Sequence, residues 1–150
     1  MSTEAGKFVK DSYDNNNDFA INIVQNFLIN KGYTITTKII EDYNIDIEAK
    51  KDNITKLFEV EVKTGYQFTN RESFKFNTVS FLARKKKWNT NKGFFYIIIC
   101  KETDWALVAK SEDIFKNEYK ESLQINTQHR KGNDDFYRVP KELCVFFKIK

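Results

Sequence analysis

Apolar and polar residues alternate strictly along two neighbouring stretches of this chain. Over 44–50, Ile45 and Ile47 fall on one side and Asp46 and Glu48 on the other. Over 57–65, Phe58, Val60 and Val62 oppose Glu59, Glu61 and Lys63. A period of two predicts half-buried β-strands. Between them, Lys51-Asp52-Asn53-Ile54 is turn material, so the two strands should form a hairpin. Upstream, Ala20, Ile23, Val24, Phe27 and Leu28 recur at helical spacing, with Asn22, Gln25 and Asn26 opposite. This predicts a helix that starts at Asp18 and is stopped by Gly32, a C-cap residue. A β-rich run over 33–40 reads as the first strand. Downstream, a helix is expected over 78–88, with Val79, Leu82 and Ala83 toward a sheet. Residues 94–100 read as a buried strand, and 104–110 as its hairpin partner. Ser111 is the expected cap of a short helix reaching Tyr119. Residues 124–135 read as a polar surface loop, 136–139 as a strand and 143–147 as a further apolar element. The polar residues 1–17 read as a loose N-terminal arm.

A solvated strand has no need to gather Asp46, Glu48, Glu59, Glu61 and Lys63 on one face of a hairpin. Any even-residue loop sets Asp46 directly across from Glu59 or Glu61, with Cβ atoms about 4.5–5.5 Å apart. Like charges so placed repel, and a positive group between them removes the cost. Mg²⁺, a hard cation that takes carboxylate oxygens, suits the position. Lys63 lies one pleat along. On this reading Asp46 and Glu61 are the metal ligands, and Val60 or Val62 adds a backbone carbonyl. Lys63 holds or deprotonates the attacking water. Glu48 and Glu59 read as salt-bridge partners on the same face.

Asp46 followed by Glu61-Val62-Lys63 on an alternating strand resembles the PD-(D/E)xK nuclease superfamily, with Ile45 standing where the proline of that motif would be. The resemblance covers about residues 18–110. It implies an α/β fold with a restriction-endonuclease-like core: a central mixed β-sheet flanked by helices in α-β-β-β-α-β order. The single nuclease domain then comprises an arm (1–17), the core (18–110) and a C-terminal extension (111–150). It also implies catalytic roles for Asp46, Glu61 and Lys63, with Mg²⁺ as cofactor and Mn²⁺ as a substitute. The superfamily often carries an acidic residue on its first helix, and Asp18 fills that place here, as it equally fills the place of a helix N-cap. The implied activity is metal-dependent hydrolysis of DNA. Among small members the layout is most similar to Holliday-junction resolvases and phage endonucleases, which act on branched DNA as homodimers. A compact restriction-type endonuclease and a non-catalytic nucleic-acid-binding module on the same fold are the alternatives.

Composition narrows the setting. The chain has 150 residues, enough for one domain with a core, and its 14 Phe and 7 Tyr supply large apolar area although only 41% of residues are hydrophobic. No apolar run approaches the roughly 20 residues that span a bilayer. Met1 to Ala5 lack a charged start and an apolar stretch, so no secretory signal and a cytoplasmic location are expected. Cys100 and Cys144 end apolar runs and read as buried free thiols; with His129, a surface residue on this reading, they are too few for a zinc site. The net charge of +4 fits a nucleic-acid partner. Arg84, Lys85, Lys86 and Lys87 either complement a helix C-terminus or meet phosphates. Arg130 and Lys131 are further DNA-binding candidates, and Thr64, Gln67 and Ser80 can contact phosphate. Abundant Asn, Lys and Ile with a single Pro suggest an A·T-rich coding genome, as in a virus or phage.

Overall fold

The computed structural model describes residues 18–37, 45–64, 66–88, 93–126 and 131–150, with backbone alone for 87, 88, 122–126 and 131–134. The expected arm (1–17), His129 and Arg130 lie outside the described residues.

Helix α1 runs through 18–30 and buries Ala20, Val24 and Leu28, the apolar stripe anticipated above. Its end is closed by two hydrogen bonds: Tyr33 N–H donates to the Leu28 carbonyl and Gly32 N–H to that of Ile29, each at 3.0 Å. Gly32 has φ +95°, the left-handed conformation that this cap demands and that a side chain resists.

Strands β1 (Thr34–Ile35), β2 (Ile47–Lys51) and β3 (Ile54–Lys63) form an antiparallel meander. Asp52 and Asn53 both have positive φ, 53° and 64°, so they make a two-residue mirror-type turn. That turn pairs Lys51 with Ile54 and Ile47 with Phe58. Next, β3 pairs in parallel with β5 (Phe95–Cys100). The antiparallel strands β6 (Trp105–Lys110) and β9 (Val145–Lys148) complete a six-stranded mixed sheet in the order β1-β2-β3-β5-β6-β9. A parallel pair needs a long crossover. Here it contains β4 (Thr78–Leu82) and a 3₁₀ helix (Ala83–Trp88). A second sheet, β4-β8-β7, is built from β4, β7 (Lys120–Asn126) and β8 (Lys131–Pro140).

Alternation on the large sheet sorts two cores. Phe58, Val60, Ile97 and Ile99 pack with α1 on one face. Tyr96, Ile98 and Leu107 pack on the other with Val79, Phe81, Tyr137 and Val139 of the small sheet. The protein is thus mixed α/β, mostly β. Free Cys100 and Cys144 are buried in the second core, where burial pushes the Cys144 thiol up to about 12 and keeps it protonated. Among the described residues, no helix is long and apolar enough to cross a membrane.

Four expectations are corrected. Residues 78–88 are not a helix, so the second helix of the α-β-β-β-α-β order is replaced by β4 and the 3₁₀ turn. Val79, Leu82 and Ala83 fit a helical stripe, but Val79 and Phe81 fit a strand equally, and five rungs to β8 decide the matter. Within the expected loop 124–135, residues 124–126 and 131–135 are strand, belonging to β7 and β8, and 127–130 lie outside the described residues. Helix α2 is a single turn (Ser111–Ile114), followed by a 3₁₀ turn (Asn117–Tyr119). The Ser111 hydroxyl does not cap α2: it accepts the Phe94 N–H at 2.9 Å, because that amide precedes β5 and needs an acceptor.

Candidate functional site

Strand β3 changes neighbours along its length. Ile54–Phe58 pairs with β2, and Phe58–Lys63 with β5. The register carries Asp46, the residue before β2, opposite Glu59 rather than Glu61. Each carboxylate then caps the other's strand. Asp46 Oδ2 accepts the Val60 N–H at 2.8 Å, and Glu59 Oε2 accepts the Asp46 N–H at 2.7 Å. Both amides lie past the last β2–β3 rung, where a buried N–H needs an acceptor.

A cation stands between the two acids, and it is a lysine. Lys85, on the 3₁₀ helix of the crossover, places Nζ 3.1 Å from Glu59 Oε1 and 3.4 Å from Asp46 Oδ2. Glu59 is only 1% exposed. Burial pushes its carboxyl up to about 7, against the attraction of Lys85 and with added repulsion from Asp46. Burial by itself would lower the Lys85 pKa, but the two carboxylates outweigh it and raise it.

One pleat along, Glu61 lies between two donors: Lys63 Nζ at 3.1 Å and the Tyr96 hydroxyl at 2.7 Å. Tyr96 is fully buried; burial and the neighbouring Glu61 hold its phenol well above the ordinary value, so it remains a donor. Leu82 N–H reaches the same hydroxyl at 3.5 Å, tying β4 to the site. The outcome is a polar stripe of Asp46, Lys85, Glu59, Tyr96, Glu61 and Lys63, with Glu59 and Tyr96 buried and the other four half-buried.

The other candidates are spread more widely. Val62 alternates to the opposite face and can offer the stripe only its backbone. Asp18 is exposed on α1, which packs on that opposite face. Glu48 accepts a hydrogen bond from the Thr36 hydroxyl at 2.9 Å, and among the described residues it forms no salt bridge. Arg84 and Lys86 are exposed, with Lys86 Nζ 5.9 Å over the Tyr137 ring, whereas Lys85 turns inward. Lys87 and Lys131 are described by backbone alone. Thr64 and Gln67 are exposed, and Ser80 is half-buried on β4.

The stripe's carboxylate oxygens suit a hard cation. Among the described residues, no three His, Cys, Asp or Glu side chains converge as a metal group. Mg²⁺ commonly uses only one or two carboxylates, with waters and substrate phosphates completing its shell, so Asp46 and a β3 glutamate fit it. Lys85 and Tyr96 were not anticipated here. A tyrosine inside an apolar strand is a readable signal, since a buried phenol needs a partner. Lys85 carries no such local signal. Neither a protein-family model nor a curated protein matches this chain.

Proposed function

We propose that the stripe hydrolyses phosphodiester bonds in DNA with Mg²⁺, and that the chain is an endonuclease of the PD-(D/E)xK type on a restriction-endonuclease-like core, selective for branched DNA. One observation carries the reading. Asp46 and Glu59 are drawn together into the protein with Glu59 lifted to about 7, an arrangement that costs stability and is common where groups react. The run of α1, three strands and then a strand parallel to β3, together with Glu61-Val62-Lys63, supports it.

In this reading Asp46 and Glu61 hold the metal with the Val62 carbonyl, and Mn²⁺ substitutes. Bound Mg²⁺ offsets charge on phosphate oxygens and acidifies water. Lys63, already against Glu61, orients the attacking water with its ammonium, and the water's proton would pass to solvent. Lys85 gives up the Asp46 carboxylate and turns its ammonium to the phosphate. Arg84 and Lys86, exposed beside it, grip the backbone. One site cuts one strand, so two cuts point to a symmetric homodimer.

Incubation with Mg²⁺ and matched linear, nicked, single-stranded and four-way-junction DNAs tests the reading. Junctions should be cut fastest, a chelator should stop cleavage, and Ca²⁺ should support binding with little turnover. A second reading, a non-catalytic nucleic-acid-binding module, is favoured by Lys85 bridging Asp46 and Glu59. Binding with no cleavage of any substrate decides for it.

A further inference from the structure

Across the large sheet from the polar stripe lies a cavity of about 440 Å³ that the nuclease reading leaves unused. Its floor is apolar: Phe58, Phe95, Ile97 and Phe147 rise from the sheet, and Phe27 and Leu28 close it from α1. The walls are set by packing. Phe58 and Phe95 stack at 5.4 Å between centroids, and Phe27 meets Phe147 at 5.1 Å. The volume falls within the roughly 300–1,000 Å³ of small-molecule sites.

The rim has one sign of charge. Lys31, Lys51 and Lys56 all border the cavity. Lys51 and Lys56 place their ammonium groups 5.5 and 5.6 Å from the centre of the same ring, Tyr33, and Lys31 lies 5.5 Å from that of Phe27. Two are further anchored: Lys51 Nζ donates to the Lys31 carbonyl at 2.7 Å, and Lys56 Nζ to the Tyr33 hydroxyl at 3.1 Å. Among the described residues, none of the three has a carboxylate partner. Aromatic faces attract each ammonium but leave its charge uncancelled. Three cations fixed around one apolar hollow repel one another, and an anion at the rim relieves that repulsion.

We infer that this cavity binds a small amphipathic anion, with an acyl or aryl body among the phenylalanines and a carboxylate, sulfonate or phosphate head between Lys31, Lys51 and Lys56. Neither half of the site suffices alone. The apolar floor supplies affinity through burial, and the lysines select charge. The site is independent of any chemistry at Asp46.

Calorimetric titration with octanoate, octan-1-ol and octylammonium separates the two halves, and naphthalene-2-sulfonate distinguishes an aryl from an acyl preference. Octanoate or the sulfonate should bind saturably at one site per chain. The alcohol should bind about tenfold more weakly and the ammonium not measurably. NMR shifts should map to Tyr33, Phe58 and Phe147. The double variant Lys51→Gln, Lys56→Gln changes only rim side chains; with an unaltered melting temperature it should bind octanoate no better than the alcohol. The proposal is overturned by an absence of saturable anion binding in the millimolar range. It is equally overturned by equal binding of all three octyl probes, or by wild-type octanoate affinity in the folded double variant.

Discussion

Lys85 and Glu59 form an enclosed ion pair, Nζ to Oε1 3.1 Å, between side chains only 17% and 2% exposed. The residues are 26 apart in sequence and meet only because β3 and the crossover fold onto each other. Lys85→Met keeps most of the stem's bulk but leaves two carboxylates without their cation. Stability above neutral pH should fall by about 3–5 kcal/mol, the cost of breaking a buried pair. Adding Glu59→Gln should restore part of it. Arg84→Ala and Lys86→Ala, both exposed, should stay within about 0.5 kcal/mol. Urea midpoints decide, and a Lys85→Met protein of wild-type stability would remove the pair from the fold's supports.

Glu59 makes stability depend on pH in a definite direction. Its carboxyl is raised from 4.5 to about 7, so within that window the folded state binds more protons than the unfolded chain. Stability contributed by this group is therefore present at the acid end, lost as pH rises through the window and constant above it. Glu59→Gln should flatten this decline. Urea unfolding of both proteins across the window measures it, and parallel slopes would contradict the burial account of Glu59.

The proposed chemistry makes Asp46→Asn, Glu61→Gln and Lys63→Ala each lower the Mg²⁺-dependent cleavage rate by about 100-fold or more. Asparagine still offers an oxygen to the Val60 N–H, so Asp46→Asn should remain folded. Circular dichroism checks the fold and single-turnover cleavage the rate. Wild-type rates in these folded variants would sink the assignment.

Binding to DNA should weaken with salt through the exposed cations. The double change Arg84→Ala, Lys86→Ala should flatten the plot of log affinity against log salt by about one unit per lost phosphate contact, whatever the DNA sequence. Lys85→Ala should flatten it only when a divalent cation is present, because without one the ammonium is committed to Glu59 and Asp46. An unchanged slope in the double variant would return Arg84 and Lys86 to a purely structural role.

The parts of this fold legible in the chain are those with strong local signals. Helix α1 has a full apolar stripe and a glycine stop, and the β2–β3 hairpin has strict alternation around Asp52-Asn53. Hence the shared face of Asp46, Glu59, Glu61 and Lys63 could be read in advance, as could the need for a cation facing Asp46. What supplies that cation could not, because Lys85 reaches the pair through tertiary contact alone. The same limit hid β4, whose few residues satisfy two periods. The β7–β8 pairing was hidden by the polar run 131–135 and by the shortness of the alternation in 120–126, which has only Leu123 and Ile125 as apolar positions.

The mirror-type turn at Asp52-Asn53 imposes a rule of parity on everything beyond it. One residue inserted into β3 between Ile54 and Leu57 would hand Glu59 and Glu61 to the underside of α1 and lift Phe58 and Val60 into the polar stripe, because neighbouring side chains point oppositely. Two inserted residues would restore the faces and set Glu59's neighbour in the chain, two places back, opposite Asp46. Length variation in this hairpin is therefore free only in even steps, and even those exchange which side chain Asp46 confronts.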